Sequence, residues 1–191
     1  MASFGVSLPV IALNNGFLGA VSRIGKLTIT ARQVLSTSAK GPNFGDPCVI
    51  VPGAANVADT IQSVADYITA GGTFTAAKFA GTAVREVKTN LSFVAMESLG
   101  TFVGGYAPGE IAELCEEGSV TVKINNGAPI SQAPVYVRTV LNAAIPAGVV
   151  GGFEAVADGV NTIQLTGVVF RTGVLDSNGV AEITILNRVA A

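Results

Sequence analysis

The second half of the chain is a succession of short stretches in which apolar and polar residues alternate, each closed by glycine, asparagine or aspartate. This pattern constrains the fold most, because a period of two suits half-buried strands and no helix. The stretch SVTVKINNGAPI (residues 119–130) sets Val120, Val122 and Ile124 inward and Thr121 and Lys123 outward. Asn126-Gly127 after it reads as a tight turn with positive φ angles. PVYVRTV (134–140) places Val135, Val137 and Thr139 on one face and Tyr136, Arg138 and Val140 on the other. Strands are also expected in TAVREVKTN (82–90), in GGFEAVADG (151–159), in NTIQLTGVVFRTG (161–173) with a bulge near Gly167, and over residues 180–186. Turn signals recur every 8–15 residues. Together these features predict a mainly β protein, an antiparallel β-sandwich or jelly-roll-like barrel with one or two short helices.

The first part of the chain is less regular. Residues 1–45 read as an N-terminal arm with some strand content, the best candidate being residues 26–30. Residues 46–191 read as the β-sandwich domain, opening with a short buried strand in DPCVIVP (46–52). Val57, Ile61, Val64 and Ile68 recur at helical spacing and predict a helix over 57–69, with Asn56 as its N-cap and Gly71-Gly72 as its stop.

Charge is scarce. Charged residues make up 13% of the chain, against about 25% in ordinary domains, and the mean hydropathy is +0.55. A membrane span does not account for this. The early apolar run over residues 6–21 is interrupted by Pro9, Asn14, Asn15, Gly16 and Gly19, where a spanning helix needs ~20 apolar residues. It also lacks the basic start of a secretory signal. The eleven Lys and Arg are scattered singly and the net charge is −2, which argues against nucleic acid as a partner. Uncharged surface spread over a folded chain marks contact with other chains. The two cysteines, Cys48 and Cys115, read as buried free thiols.

Candidate chemical sites are few. Asp176-Ser177-Asn178-Gly179 with Glu182 suggests the start of a calcium loop, but its glycine and glutamate fall at the wrong positions and its flanks read as strands. A turn between two strands fits better. The chain has no histidine, which removes the commonest general base and the usual zinc ligands. Glu110, Glu113, Glu116 and Glu117 gather in GEIAELCEEG and read as a solvated edge. AVSRIGKL (20–27) echoes a phosphate loop at Gly25-Lys26, but Ala20 and Leu27 stand where glycine and Ser/Thr are needed. The glycine-rich GTFVGGYAPGE (100–110) opens no helix. The reading is therefore no catalytic, cofactor-binding or metal-binding residue, no cofactor, and no enzyme.

Five stretches taken together, FAGTAVREVKT (79–89), GGYAPGEIAELCEEGSVTVKIN (104–125), APVYVRT (133–139), GGFEAVADGVNT (151–162) and GVLDSNGVAEITILNR (173–188), resemble the cement, or decoration, proteins of tailed-bacteriophage capsids. The resemblance covers roughly residues 75–190 and lies in the order and spacing of strand-and-turn blocks. It implies a β-sandwich on the outer surface of the virion, made in the host bacterial cytoplasm, with the major capsid protein as partner. It further implies self-association, a homodimer being favoured over a homotrimer, and bridging of neighbouring capsid subunits. No catalytic residues carry over. Residues 1–45 are expected to supply part of the contact. The alternatives are a carbohydrate-binding β-sandwich or adhesin, against which the lack of Trp and the three Tyr count, and an enzyme working through carboxylates alone.

Overall fold

The computed structural model of the chain describes residues 15–23, 25–85 and 104–187. Nine strands form one curled antiparallel sheet: β1 (Thr28–Gln33), β2 (Pro47–Val51), β3 (Thr60–Ser63), β4 (Phe79–Ala83), β5 (Ile111–Lys123), β6 (Pro134–Arg138), β7 (Phe153–Glu154), β8 (Thr162–Phe170) and β9 (Val180–Ile185). The order is β3-β2-β4-β5-β9-β8-β6-β7, with β1 also pairing to β5. The fold is mainly β and sandwich-like. One short helix, α1 (Val64–Thr69), and two single 3-10 turns complete the described residues.

The 13-residue β5 joins the two halves of the sheet. Its first part pairs with β4 and β1, through Thr82↔Cys115 and Ile29↔Cys115, and its second part pairs with β9 from Gly118↔Ile185 to Lys123↔Val180. The hand-over falls at Gly118, whose φ of +132° is open to glycine and strained for other residues. The curl closes over an apolar interior in which Val120, Val122, Val135, Val137, Phe170 and Ile183 are fully buried. A second cluster lies under the first half of the sheet, where Phe44 and Tyr106 meet edge to face at 5.4 Å and the Tyr106 hydroxyl donates to the Val84 carbonyl at 2.7 Å.

The free edge of β5 is covered by the chain's own early residues. Gly19 N–H donates to the Thr121 carbonyl, Thr121 N–H to Ala20, and Ser22 N–H to Ser119. β1 continues this line antiparallel along the first part of β5. Thr121 is therefore 1% exposed rather than outward-facing, and its hydroxyl donates to the Phe17 carbonyl. Strand alternation alone cannot show that a second segment will lie over the polar face. Gly19 seats this segment, with a φ of +73° and backbone on every side: an added Cβ would stand 2.8 Å from Ala83 O and 2.9 Å from Arg85 N. Gly19→Ala is expected to lower stability by about 1–3 kcal/mol. Denaturant unfolding would measure it, and early amide exchange at Thr121 would show that the lost anchor is the cause.

Three expectations change. The helix starts at Val64, not Val57, and Ser63 caps it by accepting the Asp66 N–H at 3.1 Å. Asn56 sits in the left-handed region at φ +66° in a loop, Val57 is exposed, and Ile61 is a strand residue opposite Ile50. The open edge of β2 takes the β-branched Thr60-Ile61 as a partner, and that long-range pairing overrides helical spacing. Gly71, at φ +88°, does end the helix. Second, Asn126-Gly127 is a bend and not a tight turn with two positive φ angles. Only Gly127 has positive φ, and β5 leaves toward Phe153 and Asn126 toward Ala155, so β5 and β6 are not neighbours. Third, the two faces of PVYVRTV do not divide by burial: Arg138, on the face of Tyr136 and Val140, is completely buried, as are Val135 and Val137 opposite. The bulge near Gly167 is present: two steps along β6, from Pro134 to Tyr136, span Val169 to Gln164 on β8, and Gly167 has φ +71°. The strand expected over 82–90 is observed as β4 ending at Ala83; residues 86–90 lie outside the described residues.

Candidate docking surface

Arg138, the last residue of β6, points inward between two loops. Its Nε and Nη2 meet both carboxylate oxygens of Glu154, on β7, with Nη2 at 2.9 Å from Oε2. Its Nη1 donates to Asp158 Oδ2 at 2.8 Å and to the Val140 carbonyl at 3.1 Å. Both side chains of the Arg138–Glu154 pair are 0% exposed. Asn142 and then Arg138 hold the Asp158 carboxyl below the usual range, and Glu154 raises the Arg138 guanidinium above its own. Gly148 packs against the guanidinium, since an added Cβ would lie 2.4 Å from Nε. An arginine so buried is stable because each of its three nitrogens meets charge or carbonyl, in four hydrogen bonds.

This cluster strips charge from the surface above it. Between residues 139 and 161 the only charged side chains are Glu154 and Asp158, and both turn inward onto Arg138. What faces outward is Val140, Leu141, Val149, Val156 and Val160, exposed by 47–91%. This lobe, residues 139–161, thus carries apolar and small residues to water, and its one partly exposed charge, Asp158, is paired to Arg138. Monomeric proteins rarely keep such patches unless they serve contact.

Beside the lobe runs a groove of about 890 Å³, walled by residues 149–153 on one side and residues 16–18 on another. Residues 43–47, Ser63 and Thr69 close it. Asp46 lies in its lining; burial, and then Asp66, push its carboxyl up to about 6 although two Asn43 donors oppose this. The folded state therefore holds this proton more tightly than the unfolded chain does. Its contribution to stability is greatest below about pH 4 and is lost as pH rises toward 6. Asp46→Asn, which keeps an acceptor for Asn43, is expected to gain on the order of 2 kcal/mol relative to the parent at pH 7 and almost nothing at pH 3.5. Urea unfolding of both proteins across that range measures the difference.

The residues singled out by sequence have other occupations. Asp176 accepts from the N–H groups of Asn178 and Val180, each at 2.8 Å, and of Asn15 at 3.1 Å. Burial alone would raise its carboxyl, but these bonds hold it below its usual value. It closes the turn between β8 and β9, with Gly179 at φ +73°. Glu110 accepts the Ala107 N–H at 2.7 Å, Glu116 meets Arg32 at 3.4 Å, Glu117 meets Lys26 at 2.7 Å, and Glu113 faces solvent. The Lys26 of the phosphate-loop echo is thus an exposed ion-pair partner, while residues 100–103 of the glycine-rich stretch lie outside the described residues. Tyr106 is buried, and Tyr67 accepts from Lys78 at 2.8 Å. Cys48 and Cys115 are free and buried, with burial raising both thiols, that of Cys115 to about 11. Among the described residues no helix is long and apolar enough to cross a membrane.

A fold with so much uncharged surface has a parallel in sequence. The model of the structural cement protein family (E217 gp24/Pam3 gp6) matches residues 10–186. The chain belongs to this phage cement family. Its role is structural, and its place is the virion. Among solved structures, a chain of the capsid of Myoviridae phage XM1 shares the fold, with a TM-score of 0.55 and 16% identity over 98% of this chain and 99% of that one. No characterised protein sequence matches significantly. The cement-family signal was open to sequence reading, whereas the Arg138 cluster was not. In the sequence Arg138 is one more strand residue beside Tyr136, and its partners lie 16 and 20 positions away.

Proposed function

We propose that this protein docks on the outer surface of the phage capsid and cements neighbouring major capsid protein subunits, acting as a small homo-oligomer, most simply a dimer, without catalysis. The observation that carries this reading is the uncharged lobe over residues 139–161, whose carboxylates are both spent on Arg138. Such a surface loses little on desolvation and gains on burial at ~25 cal/mol per Å². A cement that binds only the assembled lattice stabilises it by mass action, and an oligomer that holds two subunits adds avidity. Residues 1–45, the expected arm, would supply part of the contact, the stretch ahead of the β5-bound segment adding reach across a seam.

The test mixes purified protein with heads that lack cement protein. Saturable co-sedimentation at a fixed ratio to the capsid subunit, with a raised temperature of head rupture, is expected. Heads that neither retain the protein nor gain heat resistance would overturn the proposal.

A further inference from the structure

We infer that the groove beside the lobe receives residues 1–14 of a second copy of this chain, so that the homo-oligomer is held by exchanged N-terminal segments. The groove, at about 890 Å³, is at the upper end of what ligand clefts hold, which is room for several residues of extended chain. Its walls are glycine, alanine, valine and asparagine in the main, and its four charged lining residues, Lys40, Asp46, Asp66 and Lys123, balance in sign. The occupant it fits is uncharged and apolar with free backbone groups for Asn43, Asn125 and Asn178.

Residues 1–14, MASFGVSLPVIALN, have that chemistry: they hold no charged side chain, and Pro9 keeps them from being a continuous helix. The described chain also begins in the right place. Residues 16–18 form a wall of the groove, but Asn15 is not part of the lining. It is fastened at the rim, its N–H to Asp176 and its Nδ2 to the carbonyls of Val174 and of the groove-lining Val180 at 3.2 and 2.7 Å. Extended, residues 1–14 reach up to ~46 Å, well beyond the ~16 Å radius of gyration of a compact chain of this length. A neighbour's groove is within their span. Two such exchanges related by a two-fold axis close the assembly, since each copy offers one segment and one groove.

Disulfide trapping tests this. Leu8→Cys is made in one chain and Thr69→Cys in another, Thr69 being an exposed groove residue whose hydroxyl donates to the Ala65 carbonyl in the same helix turn. Lys40→Cys serves as a second groove probe and the exposed Ile130→Cys, outside the groove, as the reference. The native Cys48 and Cys115 are buried and stay silent. On mixing and mild oxidation, a covalent heterodimer is expected with either groove probe at roughly ten times the yield with Ile130→Cys, because a docked segment holds its thiol at millimolar effective concentration. A Leu8→Cys/Thr69→Cys double variant that closes only within one chain would mean that the segment returns to its own groove, and would overturn the inference. Yields no higher than the Ile130→Cys reference with both groove probes would overturn it as well. Capsid binding plays no part in the readout, so this result and the co-sedimentation result stand or fall separately.

Discussion

Arg138→Ala is expected to lose about 3–5 kcal/mol of stability, since it leaves Glu154 buried without a counter-charge. For a chain of this length each kcal/mol shifts the melting temperature by ~2–4 °C, so a fall of about 10 °C or more should appear in calorimetry. The loss has a second part. Arg138 ties the strand end to Val140 and Asp158, so amide exchange across residues 139–161 should rise more than elsewhere. The double variant Arg138→Met/Glu154→Leu separates charge from packing. If the damage is an uncompensated carboxylate, the apolar pair restores most of the melting temperature. If stability stays low in the double variant, the cluster matters through its geometry instead.

Leu141→Asp with Val160→Asp should leave the fold intact and abolish capsid association. Both side chains are mostly exposed in the free protein, by 69% and 91%, so substitution there changes stability by less than ~0.5 kcal/mol. At an interface the same carboxylates would be desolvated without partners, each costing at least ~2 kcal/mol. Together they should weaken binding by roughly a thousandfold. Co-sedimentation of the variant with bare heads checks this, with an unchanged melting temperature as the control. Undiminished binding would move the docking surface off the lobe.

How much of this could be read from the sequence follows from the range of the interactions. Strand alternation is local, and Val120, Val122, Val135 and Val137 are buried as their spacing implies. The turn at Asp176 is also local, because its acceptors meet N–H groups two and four residues on. Thr121 is not legible in this way, because the segment that covers it comes from about a hundred positions earlier. Helical spacing sets the helix start too early, because Ile61 answers to Ile50 across a strand pair rather than to Val57 and Val64 along a helix. Scarcity of charge was legible as a total, but not its cause on the lobe. That required knowing that Glu154 and Asp158 face one buried arginine.

The central claim is that the uncharged lobe is the surface covered in the assembled virion. Hydrogen exchange of the free protein against the same protein bound to heads tests it most directly. Strong protection concentrated in residues 139–161 on binding is the result expected. Binding that leaves those amides exchanging as fast as in the free chain would contradict it.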